Sequence, residues 1–235
     1  MPGTRRAALP AVGGGVRNTG AMNMHRTWSE IVAADPGHSR RYAERWANFA
    51  AQGRDIDGEA RLIDAMAPRA GRILDAGCGQ GRLGGYLAER GHNVVGVDVD
   101  PYLISVAREV QPGGTWKVGD LARLADVLAD ADADPAAPEH GRHPTGDFDV
   151  IVAAGNVLTF IDPADRGAVL IGFRDALAAD GRAVMGFGAG RGWTLDEFES
   201  DAFEAGLRIT HRFSTWNLLP FDDQANFIVA IAERA

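Results

Sequence analysis

The chain has 235 residues, 46% of them apolar, enough to bury one sizeable core without requiring a second full domain. Asp and Glu total 32 against 24 Lys and Arg, and the resulting net charge of −8 lacks the cationic field that nucleic-acid binding normally needs. A single cysteine, Cys78, excludes an internal disulfide and a cysteine-built zinc site, and no apolar run approaches the roughly 20 residues of a membrane helix, so a soluble cytoplasmic protein is expected.

Residues 1–24 carry Arg5, Arg6 and Arg17, no acid, and the run Gly13-Gly14-Gly15. With no periodic apolar face they are expected to form a disordered tail, and Met22 and Met24 offer alternative starts. A signal peptide is disfavoured because Ala-Leu-Pro-Ala-Val is short and broken by proline. The remainder, 25–235, reads as a single domain whose first part, 25–68, is a helical cap. There Tyr42, Trp46 and Phe49 recur at helical spacing between Ser39 and Ala50, and a second helix from Gly58 to Met66 is ended by Pro68.

The pattern then alternates: strand 72–76, helix 80–90, strand 93–98, helix 101–109, strands 115–119 and 148–154, helix 164–178 and strand 182–188. Such repeated units imply a doubly wound parallel sheet covered on both faces, with ligands beyond the carboxyl ends of its strands. Between them, 130–147 is rich in acids, alanine and proline and reads as an inserted surface loop. His140 and His143 lie there with Asp132, Asp134 and Glu139, but the prolines argue against a rigid coordination shell and no metal site is expected. After a helix near 194–205, two strand-like runs, Leu207 to Trp216 and Asn226 to Glu233, are joined by a loop too short for a crossover helix and must be antiparallel.

The strand at 73–76 runs into glycines spaced by two, Gly77, Gly79 and Gly81, a turn that lets backbone approach a ligand. A second apolar run delivers Asp98 about twenty residues on, the spacing of a carboxylate that grips a ribose diol. A literal GxGxxG occurs at Gly79, Gly81 and Gly84, but counted from Gly77 the third glycine position holds Arg82. Asp75 would moreover repel a diphosphate at the helix N-terminus. A cationic ligand reverses that sign: S-adenosylmethionine has no phosphate and carries a sulfonium and an ammonium, so Asp75 is favourable near its methionine half.

At these residues the chain resembles the class I S-adenosylmethionine-dependent methyltransferases, over roughly residues 38–235. The resemblance implies a Rossmann-like, mostly parallel seven-stranded sheet with an antiparallel last strand. It places Asp75, Gly77, Cys78, Gly79 and Gly81 in the first motif, Asp98 on the ribose hydroxyls and Val99 on the adenine. Asp120 and Leu121 match the residues at the adenine edge, although Asp120 also suits a helix N-cap. Ala154 and Asn156 follow the fourth strand, whose end faces the transferred methyl group. Tyr42, on the aromatic stripe of the cap, is expected to close over the cofactor, with neighbouring Arg41.

No catalytic residue stands out, and a sulfonium donor needs little beyond positioning of the acceptor. The fourth strand lacks the Asn/Asp-Pro-Pro-aromatic sequence of exocyclic-amine nucleic-acid methyltransferases and has no cysteine for attack on a pyrimidine. A small-molecule acceptor is expected, with Arg191, Trp193 and residues 217–221 where the family places substrate contacts. Asn156 suits either acceptor orientation or a simple turn, and His211 suits a core or surface position better than a general base. The alternatives are an NAD(P)-dependent oxidoreductase, if the literal GxGxxG is genuine, and a non-catalytic S-adenosylmethionine-binding module.

Overall fold

The computed structural model describes residues 25–129, 147–188, 191–222 and 225–235. The expected tail at 1–24 and most of the expected insertion, with His140 and His143, lie outside them.

Three helices precede the sheet: α1 (Trp28–Ala34), α2 (His38–Ala51) and α3 (Gly58–Met66). The strands and helices that follow are β1 (Arg72–Ala76), α4 (Arg82–Glu89), β2 (Asn93–Asp98), α5 (Pro101–Val110) and β3 (Thr115–Val118). The second half contains α6 (Leu124–Ala129), β4 (Phe148–Ala153), α7 (Arg166–Ala176), β5 (Leu177–Gly188), α8 (Leu195–Glu204), β6 (Leu207–Phe213) and β7 (Phe227–Arg234). The seven strands form one sheet in the order β3-β2-β1-β4-β5-β7-β6. The first five are parallel, and β7 inserts antiparallel between β5 and β6. The expected doubly wound sheet with an antiparallel ending is therefore present.

Period-two alternation decides which side of the sheet each residue serves. Ile73, Val150 and Val152 face α3, α4 and α5 in a cluster with Ile63, Leu87, Ile104 and Trp116. Leu74, Ile151 and Met185 face the other way, against Phe173 of α7 and Phe198 of α8. Because each parallel strand is covered on both faces, β1 and β4 read as nearly continuous apolar runs.

The sequence reading missed α1 and α6, and it began β5 five residues late. The expected helix 164–178 ends at Ala176, because Leu177 pairs with Phe148 at the start of β5, and a register shift between Phe148 and Val150 absorbs the residues before Arg182. Trp193 packs in the core, 1% exposed, with its ring 6.0 Å from Phe187 and its Nε1 donating to Asp201 at 3.0 Å. His211 is exposed on β6, its Nδ1 3.1 Å from Thr210 Oγ1.

Candidate active site

The site forms where β1, β2 and β4 end side by side. After Ala76 the backbone at Gly77 takes φ 78°, and the amides of Gly77 and Cys78 donate to the Val97 carbonyl at 2.8 and 3.1 Å. A Cβ on Gly77 would lie 1.9 Å from the Val157 side chain, so both conformation and space demand glycine there. The amide of Gly79 donates at 2.8 Å to Asp98 Oδ2, joining the glycine loop to the acid at the end of β2.

Gly81 and Gly84 serve a different purpose from the one a literal GxGxxG suggests. A Cβ on either would come within 2.9 Å of the indole of Trp116, which is 1% exposed. These glycines admit a large ring from β3 beneath α4. Asp75 lies in the same layer: it is 3% exposed and its Oδ2 accepts the Gly84 amide at 2.9 Å. Burial pushes its carboxyl up to about 7, against the opposing effects of the Gly84 amide and Arg82. Cys78 is also buried, which raises its thiol well above the ordinary range.

Asp98 is 8% exposed and opens onto a cavity of about 290 Å³. Its Oδ1 accepts the Asp100 amide at 2.9 Å and its Oδ2 the Gly79 amide, leaving one lone pair on each oxygen for a ligand. Burial raises this carboxyl to about 6, against those two amides. Gly77, Gly79 and Val99 share the cavity lining with Asp98, as do Asp120, Leu121 and Ala154. Asp120 also caps the following turn by accepting the Ala122 amide at 2.9 Å, so the expected N-cap is present in a residue that lines the cavity.

Tyr42 lines the cavity from α2, its Cε1 3.7 Å from where a Cβ on Gly79 would sit. Arg41 turns away from the cavity to pair with Asp35. Asn156, at φ 65°, is not part of the lining; its Oδ1 accepts the Gly188 amide at 2.8 Å and ties the end of β4 to the end of β5. Asp75, Cys78 and Gly81 likewise lie behind the lining.

Much of the opposite wall escaped sequence reading. Trp28 of α1 and Phe160 of the 3-10 turn Val157–Phe160 face the cavity, their ring centroids 5.6 Å apart and nearly perpendicular. Thr27-x-x-Glu30, a capping box, was the signal that could have revealed α1. Asp162 and Asp165 also contribute, so the charged side chains lining the cavity are all acidic among the described residues.

The arrangement fits a cationic nucleoside ligand. The paired oxygens of Asp98 suit a vicinal diol, Val99 and Leu121 offer apolar contact to a base, and two buried acids gain from a nearby positive charge. The residues 74–183 match a family model described as a methyltransferase domain. A TehB-like S-adenosylmethionine-dependent methyltransferase from Corynebacterium glutamicum is 48% identical in sequence and superposes with a TM-score of 0.75, over 86% of this chain and 100% of that one. The chain belongs to the S-adenosylmethionine-dependent methyltransferases.

Curated members of this methyltransferase family are more distant. The magnesium-protoporphyrin O-methyltransferase of Rhodobacter capsulatus is 32% identical over 152 residues, 62% of this chain and 56% of that protein. An 18S rRNA (guanine-N(7))-methyltransferase of Mus musculus is 27% identical over 89 residues, 38% of this chain and 32% of that protein. The match thus spans about half the length of the first and a third of the second.

Proposed function

We propose that this methyltransferase acts on a small-molecule acceptor, in the cytoplasm, and that Asp98, Val99, Asp120, Leu121 and the Gly77–Gly79 loop hold its cofactor. The observation that carries the acceptor reading is the cavity wall: Trp28, Tyr42 and Phe160 roof it and four carboxylates line it, with no Lys or Arg in that lining among the described residues. A polyanion would meet the wrong sign of charge at that opening. The net charge of −8 adds to the repulsion, although rRNA-methylating proteins are among the relatives. A cytoplasmic setting is supported by the sole cysteine, Cys78, buried as a free thiol, and no helix among the described residues is long and apolar enough to cross a membrane.

Bound S-adenosylmethionine supplies an electrophilic methyl group on a sulfonium. The chain contributes position and exclusion of water. Asp98 would accept the ribose hydroxyls, Val99 and Leu121 would give the adenine apolar contact, and the left-handed turn at Gly77 would let bare backbone approach the methionine half. Ala154 and Gly155, where β4 ends, would leave space beside the methyl group, and the aromatic side chains Trp28, Tyr42 and Phe160 would keep water from the acceptor. Release of S-adenosylhomocysteine from a panel of small amines, thiols, phenols and carboxylic acids, run beside purified rRNA, tests this reading. Turnover confined to rRNA would refute it.

A further inference from the structure

Trp28 separates two spaces. On one side lies the cofactor cavity; on the other is a groove of about 430 Å³ between α1, the start of α2 and the start of α5. Trp28, Ser29 and Val99 border both, so the indole is part of the wall between them. The helix that carries it is lightly held: α1 has no buried residue, and its capping box, Thr27 with Glu30, satisfies its first amides locally. Its attachments are concentrated on the indole, which meets His38, Tyr42 and Phe160 edge-on at 5.0, 5.3 and 5.6 Å and donates from Nε1 to Asp100 Oδ2 at 2.7 Å.

Asp100 joins that anchor to the cofactor acid. It is 4% exposed, and its Oδ1 caps α5 by accepting the amides of Tyr102 and Leu103 at 2.9 and 3.3 Å. Its Oδ2 accepts from Trp28 and from Ser39 Oγ, while its own amide donates to Asp98 Oδ1. A buried carboxylate depends on such donors, so the state with Trp28 seated is favoured over one with Nε1 withdrawn. The chain Trp28, Asp100, Asp98, Gly79 is continuous from the lightly held helix to the glycine loop.

We propose that Trp28 and Asp100 are positioning residues for the cofactor: docking of the Trp28 indole on Asp100 closes the cavity wall and fixes the Asp98 carboxylate for the ribose, and its release opens the path by which the cofactor exchanges. This rests on the cofactor assignment above. The closing element is then α1, with α2 as its fixed seat, because Ser39 and Tyr42 already bind α2 to Asp100 and the glycine loop.

Stopped-flow association and dissociation of S-adenosylhomocysteine, measured on the wild type, Trp28→Phe and Asp100→Asn, tests it. Trp28→Phe keeps a ring but loses the N–H, and Asp100→Asn can keep the cap on α5 while turning its amide NH₂ toward Nε1. Both variants are expected to release the ligand at least about tenfold faster, with association unchanged or faster and with Tm close to the wild type. In the wild type, amide exchange across residues 28–34 is expected to slow on adding the ligand, a readout that does not depend on either variant folding. Wild-type binding with unchanged release in folded variants, or with no change in exchange at 28–34, overturns this proposal alone. Failure of the wild type to bind overturns the cofactor assignment together with it.

Discussion

The floor of the site and its roof are built by different physics. The floor, from Gly77 to Asp98, rests on strands buried on both faces, and its glycines are fixed by what would collide with them, Val157 at one position and Trp116 at two others. The roof, α1 and the aromatic side chains under it, buries no residue of its own helix and is held mainly by one indole and a shared carboxylate. The floor is preorganised for a ligand common to a family, whereas the roof can change its side chains or move without disturbing the sheet. Substitutions in the floor should therefore remove the contacts that bind the cofactor, and those in the roof should weaken binding chiefly by speeding release.

The largest effect is expected at Gly77→Ala, which adds a left-handed backbone penalty to a Cβ placed 1.9 Å from Val157. Together these should cost about 2–4 kcal/mol of stability and remove measurable cofactor binding. Thermal melts check the first and calorimetry the second. Adding Val157→Ala should recover part of the stability by relieving the collision, and full recovery would show that the backbone turn carries no strain.

Next is Asp98→Ala. Loss of charge-assisted hydrogen bonds to a ribose diol should weaken S-adenosylhomocysteine binding by about 1.5–3 kcal/mol, roughly 10- to 150-fold, with the sheet intact. An unchanged Kd would remove Asp98 from the site and erase the floor's advantage over the roof.

The pH dependence sharpens the same point. Burial raises free Asp98 to about 6, so below that pH the group is protonated before ligand arrives, whereas accepting two hydroxyls favours the carboxylate. Binding must then release a proton, and affinity should fall by up to about tenfold per pH unit as pH drops below 6. For folding the sign is opposite. A carboxyl raised from its usual value stabilises the free protein below pH 4, and that contribution is lost as pH rises through about 6 for Asp98 and about 7 for Asp75. Calorimetry in two buffers of different protonation enthalpy checks the proton release, which should vanish in Asp98→Asn.

The smallest effect is expected at Arg41→Ala. Its pairing with Asp35 is exposed on both sides, so loss of the pair should change stability by less than about 0.5 kcal/mol and leave cofactor affinity alone. A tenfold loss of affinity would bring Arg41 back to the cavity, from which its guanidinium is turned in this structure.

Most of the floor was legible because its signals are local: Ile73 to Gly81 is one strand and one turn, and Asp98 follows at a spacing set by one helix. What those glycines do was less legible, since Trp116 lies far along the chain from Gly81 and only the parallel pairing of β2 with β3 brings the ring under α4. The roof was largely hidden. The α1 segment has no buried stripe to create a periodic signal, and nothing near Trp28 indicates a partner 72 residues away at Asp100. Asn156 shows the reverse difficulty: its place after β4 suggested a cofactor contact, and its side-chain oxygen accepts the Gly188 amide instead of lining the cavity.

The most direct test of the preorganised floor is calorimetric titration of the folded protein with S-adenosylhomocysteine and, in parallel, with NAD⁺. One saturable site for S-adenosylhomocysteine and no heat with the dinucleotide is the predicted result. No heat with S-adenosylhomocysteine at millimolar concentration, or tighter binding of the dinucleotide, would contradict it.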